Sequence, residues 1–453
     1  MMDLRGRRVT VVGLARSGAA AAELLIREQA IVSVTDRKPE AELLEWTARF
    51  APGAVRWFLR GHPDEAFRGA ELIVLSPGVP ATIAPLVEAR SRGVPIWSEI
   101  ELAARHLRVP MVAITGSNGK STTTALVGAM FREAGRRTFV GGNFGVPLSE
   151  ATKPGSAWGE VVVEVSSFQL ETVHTFRPSV AVLLNVTPDH LDRYPDLAAY
   201  AAAKFRIFEQ QGVEDAAVLN ADDPVCGDPA LVSALRARRI KFSRLKSPCG
   251  DGVWVDGGTM VYRLGEERGD ICAVARIRIG GVHNLENALA ASAVALLRGV
   301  EPPIIARALA EFQGLEHRLE FVRELRGVTY INDSKGTNVG AVQKSLEGFS
   351  RPVILIAGGV DKGADFAALR PVVLRRVKKA ILIGQARPQL HRALDGVTTI
   401  AEANGLAEAV RVATESAMPG DVVLLSPACA SFDLFQNFED RGNQFKAMVK
   451  GLS

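Results

Sequence analysis

The segment V-P-M-V-A-I-T-G-S-N-G-K-S-T-T-T-A-L-V, residues 109–127, passes from strand to loop to helix. Val112-Ala113-Ile114 is an apolar run that reads as a buried strand. It breaks into Thr115-Gly116-Ser117-Asn118-Gly119-Lys120-Ser121-Thr122, and an Ala/Leu/Val-rich helix follows. Glycines let backbone N–H groups converge on an anion, and the helix N-terminus adds partial positive charge. Lys120 can neutralise terminal phosphates, and the Ser121 or Thr122 hydroxyl can ligate Mg²⁺. The usual phosphate-loop pattern starts with glycine where this chain has Ile114, so the loop is a shortened variant. The segment predicts binding of a nucleoside triphosphate; the bland alternative is a plain β–α turn.

Outward from this loop, short Val/Ile/Leu runs alternate with helical stretches, the pattern of parallel α/β sheets covered on both faces. With 453 residues the chain has room for two or three domains at roughly 150 residues each. We expect three: residues 1–108, 109–316 and 317–453. The first has strands at V9-T-V-V-G, I31-V-S-V-T-D and L72-I-V-L-S. The second adds V161-V-V-E-V, V180-A-V-L-L-N-V and a hairpin at V253-W-V-D-G-G-T-M-V-Y. The third has V353-I-L-I-A, A380-I-L-I-G and D421-V-V-L-L-S. The expected architecture is a Rossmann-like N-terminal domain, a phosphate-loop ATPase domain and a Rossmann-like C-terminal domain. Ligands should sit at the carboxyl ends of the strands.

A net charge of +4 is small for this length, and the basic residues are dispersed, which argues against nucleic acid as partner. The cluster Arg375-Arg376-Val377-Lys378-Lys379 reads as a solvated helix face. The four cysteines show no CxxC spacing, so neither a zinc site nor a disulfide framework is expected. No apolar run approaches the ~20 residues needed to span a bilayer. The N-terminus enters strand Val9–Gly13 at once without a signal-peptide core, and a cytoplasmic location is expected.

Two more regions carry chemistry. Gly13-Leu14-Ala15-Arg16-Ser17-Gly18 follows a strand and opens a helix, and Asp36 ends the next strand. Ala15 stands where a dinucleotide fingerprint has its second glycine, and its methyl crowds the closest pyrophosphate approach. Another nucleotide-like ligand or a structural turn remains open there. In the middle section Glu164 ends a strand, where it can serve Mg²⁺ or simply sit near a helix start. His190 lies between Asp189 and Asp192 just beyond a further strand. Lys204, taken alone, reads as a surface lysine of the helix Ala199–Phe208.

The ordered motifs T115-G-S-N-G-K-S-T, G141-G-N-F-G, E164-V-S-S-F-Q-L-E-T, N185-V-T-P-D-H-L-D-R-Y, H283-N-L-E-N-A, H317-R, N332-D-S-K-G-T-N, G358-G-V-D-K-G-A-D-F and L425-S-P-A-C-A-S-F-D-L-F-Q-N-F-E-D-R-G resemble the Mur ligase family along essentially the whole chain. The resemblance implies activation of a carboxylate by ATP as an acyl phosphate, which an amine attacks to give an amide. Among family members it points to the addition of D-glutamate to UDP-N-acetylmuramoyl-L-alanine, by an enzyme acting as a monomer.

The resemblance also implies roles. Gly116, Ser117, Asn118, Gly119, Lys120, Ser121 and Thr122 would hold ATP, with Asn284, Asn287, Arg318 and Asp333. The alternative for Asn284 and Asn287 is a role as helix-start caps. Ser121 and Glu164 would serve one Mg²⁺; His190 and Lys204 would serve a second. An ammonium has no lone pair for a metal, and the family resolves this by carbamylating the lysine that matches Lys204. Lys120, His190, Lys204 and Arg318 form the implied catalytic set. D-glutamate would meet Lys335, Thr337, Lys362, Ser431 and Phe438. The UDP substrate would meet Ala15, Arg16, Asp36, Arg37, Asn143 and His190. Ala15-Arg16 replaces the Leu-Thr pair of some members, so a side-chain role for Arg16 does not carry over.

Overall fold

The computed structural model describes residues 3–190, 193–361 and 363–452. They form three sheets in chain order. The first is parallel, with spatial order Val55–Leu59, Ile31–Asp36, Arg8–Val12, Leu72–Leu75, Ile96–Ser98. Two of these strands escape the sequence reading. Val55–Leu59 lies at the edge and is only partly buried, and Ile96–Ser98 has three residues, too few for a period to register. Helix Arg16–Arg27 lays Ala19, Ala21, Ala22, Leu24 and Leu25 on this sheet.

The middle sheet has nine strands. Met111–Thr115 lies between Val180–Leu183 and Glu160–Glu164, and Thr138–Gly142 forms one edge. Beyond Val180–Leu183 come Ala216–Asn220, Arg238–Ser243 and Gly252–Asp256, all parallel, then the antiparallel strands Thr259–Leu264 and Glu267–Ala273. The expected hairpin is present. Gly257 and Gly258 both have positive φ, +53° and +81°, as a two-residue turn matching strand twist demands. Strand Met111–Thr115 is buried throughout, consistent with its apolar run. Helices Lys120–Glu133 and Val282–Leu297 cover one face. Leu126, Val127, Met130 and Phe131 are fully buried there, each contributing about 1.5–3 kcal/mol.

The third sheet runs Glu320–Leu325, Val328–Asn332, Val422–Leu425, Val353–Gly358, Val377–Ile383, Thr399–Glu402, parallel except for the first pair. One sequence expectation is corrected here. Helix Arg370–Arg376 ends before Val377, so Lys378 and Lys379 lie on a strand. There Lys378 pairs with Asp421 at 2.6 Å and Lys379 donates to the Ser416 hydroxyl. Val377, Ala380 and Leu382, brought to one core cluster across a register shift, override the local basic pattern.

Topology brings the chemistry together. The loops after Thr115, Glu164 and Leu183 leave three adjacent middle strands at their carboxyl ends. The loops after Asn332, Leu425 and Gly358 leave three adjacent strands of the third sheet in the same way.

Candidate active site

The loop that ends at Lys120 is held by backbone geometry and by its neighbour. Gly119 caps the helix at φ +87°, and a side chain there would collide with Asn287. Asn118 donates its backbone N–H to Asn185 Oδ1 at 2.8 Å, and Asn185 Nδ2 returns a bond to the Asn118 carbonyl at 3.1 Å. Ser117 Oγ donates to the Thr187 carbonyl at 3.0 Å. Lys120 folds back and donates to the carbonyls of Gly116 and Ser117 at 2.8 and 2.9 Å. Burial lowers its pKa, partly offset by Glu164 and Asp189. A desolvated ammonium facing loop carbonyls is poised to exchange them for a stronger anionic acceptor. Thr122 Oγ1 and Arg318 Nε are buried without a hydrogen-bond partner among the described residues. Such groups are costly unless a ligand completes them.

Beside the loop, Ser121 Oγ donates to Glu164 Oε2 at 2.6 Å, and Asn143 Nδ2 donates to Glu164 Oε1 at 2.9 Å. A hydroxyl and a carboxylate next to a phosphate loop form a hard-oxygen pair of the kind Mg²⁺ takes, with phosphates and water filling its remaining positions. Among the described residues no cluster of three or more His, Cys, Asp or Glu is placed to hold a metal ion.

Lys204 is no surface lysine. Helix Leu197–Phe205 buries it to 1% exposure, with Nζ donating to the Gly116 carbonyl at 3.0 Å and lying 4.3 Å above the Tyr200 ring. Desolvation, with Lys120 adding to it, pushes its pKa well below the ordinary lysine value. His190, half-buried at φ +56°, rests edge-on against Phe168 with centroids 4.7 Å apart. Asp189 receives Asn338 Nδ2 from the third domain at 2.9 Å. Asp192 lies outside the described residues.

A cavity of about 580 Å³ opens between the middle and third sheets. Asn118, Gly119, His190, Asn287, Arg318 and Thr337 are in its wall. Asn284 does not cap its helix: it donates Nδ2 to the Gly280 carbonyl and accepts from Asn287 Nδ2. Asp333 is fully occupied within its own domain, accepting from Ser345 and Ser426 hydroxyls at 2.7 Å and from the Leu319 N–H at 3.2 Å. It adjoins Arg318, whose charge opposes the rise that burial imposes on its pKa.

Lys335 crosses from the third domain and donates to Ser121 Oγ at 2.7 Å, between the rings of Phe144 and Phe438. Burial brings its pKa down to about 8. Ser431 is buried in the neighbouring turn, and Lys362 lies outside the described residues.

A second cavity, about 440 Å³, lies where the first sheet faces the middle one, and is lined by Ala15, Arg16, Asp36, Arg37 and Asn143 among others. Asp36 accepts from the N–H groups of Leu14 and Lys38, so its carboxylate shapes the loop. Arg16 reaches the Gly145 carbonyl across the cavity at 3.3 Å. His190 lines the first cavity and not this one.

Sequence reasoning assigned nothing to Tyr200, Phe168 or Arg193, although Tyr200 and Lys204 at i, i+4 share a helix face and could have been paired. Asn185 brought no signal of its own, because its partner is 67 residues away.

Family models match three successive parts of the chain: a Mur ligase MurD-like N-terminal domain over residues 7–98, a Mur ligase middle domain over 114–295, and a Mur ligase glutamate ligase domain over 317–429. UDP-N-acetylmuramoylalanine–D-glutamate ligases from Geotalea daltonii and Geotalea uraniireducens are 47% and 48% identical, covering 100% of this chain and 99% of each relative. Among solved structures, UDP-N-acetylmuramate-alanine ligase from Thermotoga maritima shares the fold at TM-score 0.61 and 18% identity, covering 98% of this chain and 99% of that one. A pseudomurein peptide ligase from Methanothermus fervidus does so at TM-score 0.62 and 18% identity, covering 99% and 100%. With full-length identity well above the level at which folds and families diverge, and the same three-domain α/β architecture, the chain belongs to the Mur ligase family.

Proposed function

We propose that this chain is the ATP-dependent ligase that joins D-glutamate to UDP-N-acetylmuramoyl-L-alanine in peptidoglycan precursor synthesis, acting as a cytoplasmic monomer of units 1–108, 109–316 and 317–453. The full-length relatives named for this reaction support it. The observation that carries it in the structure is the Lys335–Ser121 bond, which brings the third domain's cationic turn to the phosphate loop. A carboxylate phosphorylated at the loop and an amine held by the third domain would therefore meet.

The chemistry follows from the charges. A carboxylate oxygen is a poor leaving group until phosphorylated; the amine then attacks the acyl carbon, and phosphate leaves. Lys120 and the N–H groups of residues 116–122 hold the triphosphate, and Arg318 meets the charge that develops on the transferred phosphoryl group. Asn284 and Asn287 position the nucleotide, and Asp333 holds the Arg318 segment in place. Ser121 and Glu164 fit one Mg²⁺; His190 and a carbamylated Lys204 fit a second. Bound there, the cations supply charge neutralisation for phosphoryl transfer. Burial supports the carbamate. Desolvation favours the neutral amine of Lys204, the form whose lone pair can attack CO₂, losing one proton and becoming an anionic oxygen donor. Lys335, Thr337, Ser431, Phe438 and Lys362 form the D-glutamate pocket, with two lysines for two carboxylates. Ala15, Arg16, Asp36, Arg37 and Asn143 take the UDP end of the other substrate.

The test is phosphate release from ATP with UDP-N-acetylmuramoyl-L-alanine and D-glutamate, omitting each in turn. Release that needs both, and fails with L-glutamate, L-lysine or diaminopimelate in place of D-glutamate, is the expected result. Release with diaminopimelate but not D-glutamate would replace this activity with that of another ligase of the family.

A further inference from the structure

His190 sits in a left-handed backbone conformation, φ +56°, that disfavours a non-glycine residue, so something around it must hold it. Its carbonyl accepts from the N–H groups of Arg193 and Tyr194 at 2.9 and 3.0 Å. Its ring rests against Phe168, at an interplanar angle of 63°. Phe168 is supported in turn by the Arg193 guanidinium, 3.9 Å from the ring centroid. The same guanidinium donates to Glu171 Oε2 at 2.6 Å and reaches the first domain, donating to the Pro77 carbonyl at 3.4 Å. Pro77 lines the 440 Å³ cavity of the first domain. One planar, forked cation thus stacks on a ring, grips a carboxylate and touches a second domain, a combination a lysine ammonium does not supply.

We propose that Arg193 is a positioning residue that ties the orientation of His190 to the Pro77 wall of the first-domain cavity, so that filling this cavity is felt at the phosphate and metal end of the active site. The inference rests on the proposed function, because it takes that cavity as the uridine diphosphate end of the substrate site. Arg193 touches no reacting atom. It acts through Phe168, and its loss should cost geometry rather than binding. A misplacement on the order of 1 Å at a reacting group costs about 10²-fold in rate.

The experiment compares the wild-type chain with Arg193→Ala and Arg193→Lys. Uridine diphosphate alone is the probe, and the imidazole resonances of His190 are followed by NMR. In the wild type, binding should shift them. In both variants the probe should still bind while the shift is lost or much reduced. In turnover, kcat should fall by about 10–10²-fold with the KM for ATP nearly unchanged, and free guanidinium at tens of millimolar should restore part of the Arg193→Ala loss. Arg193→Lys keeps a cation near Glu171 and guards against a simple folding failure. A folded variant with the full His190 shift, or with wild-type kcat, overturns the proposal. Loss of kcat, ATP affinity and thermal stability in parallel, without guanidinium rescue, overturns it too, since a merely structural residue behaves that way. If the wild type releases no phosphate with the two substrates, the functional reading falls instead, while the uridine diphosphate response of His190 is read independently of turnover.

Discussion

The two seams between the domains are built on different principles. Where the first domain meets the middle one, helix Glu99–Ala104 is embedded in the middle core, with Ile100 and Ala103 fully buried in the same cluster as Val161 and Leu183. Two carboxylates go in with it. Glu101 accepts from the N–H groups of His174, Thr175 and Phe176, the Thr175 hydroxyl and Arg105. Burial works against its ionisation, but these bonds outweigh it and hold its pKa below the usual value. Glu99 accepts the Ser149 N–H through one oxygen, while the other is buried without a partner among the described residues; desolvation raises its pKa to about 7. The seam between the middle and third domains instead encloses the 580 Å³ cavity and is crossed by polar contacts such as Lys335–Ser121 and Asn338–Asp189. A dry seam rich in apolar contacts and satisfied backbone N–H groups is a joint. A polar seam around a cavity is a jaw, which should open at lower cost than the joint.

The largest effect should come from inside the jaw. Lys204→Ala should reduce turnover by about 10²–10³-fold while ATP binding and thermal stability stay close to wild type. Acetate, but not chloride at equal ionic strength, should restore part of the activity by supplying an oxygen donor in the vacated space. A fully active variant would remove Lys204 from the mechanism.

At the joint the cost should appear as stability. Glu101→Ala leaves three backbone N–H groups and Arg105 without their acceptor, and should destabilise the chain by about 3–5 kcal/mol in denaturant unfolding. The enzyme that remains folded should keep its KM for ATP. A loss under 1 kcal/mol would mean that this seam is no tighter than the other.

Glu99 sharpens the comparison through pH. Its carboxyl ionises less readily folded than unfolded, so between about pH 4.5 and 7 the native state holds the extra proton. Its stabilising contribution is therefore complete below about pH 4.5 and is lost as pH rises through about 7, by up to about 3 kcal/mol. Glu99→Gln keeps an oxygen for Ser149 and should flatten this part of the stability profile. An unchanged slope would show that another group carries it.

The smallest effect belongs to the jaw's outer contact. Asn338→Ser, which keeps an oxygen for the Ala341 N–H that Asn338 caps, should change unfolding free energy by no more than about 0.5 kcal/mol, because the bond to Asp189 is part-buried and water can replace it. A change of several kcal/mol would make this seam a joint as well.

The individual strand ends were legible because their signals are local. A buried run followed by Gly116-Ser117-Asn118-Gly119-Lys120 reads as strand, anion loop and helix wherever it occurs, and the Gly257-Gly258 turn announces its hairpin in the same way. The strand Ile96–Ser98 was not legible, because three residues carry no period, and Lys378 and Lys379 were misread because basic residues at a strand edge look like a helix surface. Lys204, taken alone, reads as a surface lysine for a deeper reason, and only the family resemblance pointed elsewhere. Nothing in L-A-A-Y-A-A-A-K-F says which helix face meets the phosphate loop.

By itself the sequence determined the three α/β units, the phosphate loop and the family, since each rests on short-range pattern and on motifs in a set order. Tertiary structure alone decided which groups share an environment: Lys204 under the Gly116 carbonyl, Lys335 on Ser121, and Glu99 and Glu101 with opposite pKa shifts two residues apart on one helix. Desolvation and charge proximity depend on distance in space, and strand order across a sheet sets that distance whatever the separation along the chain.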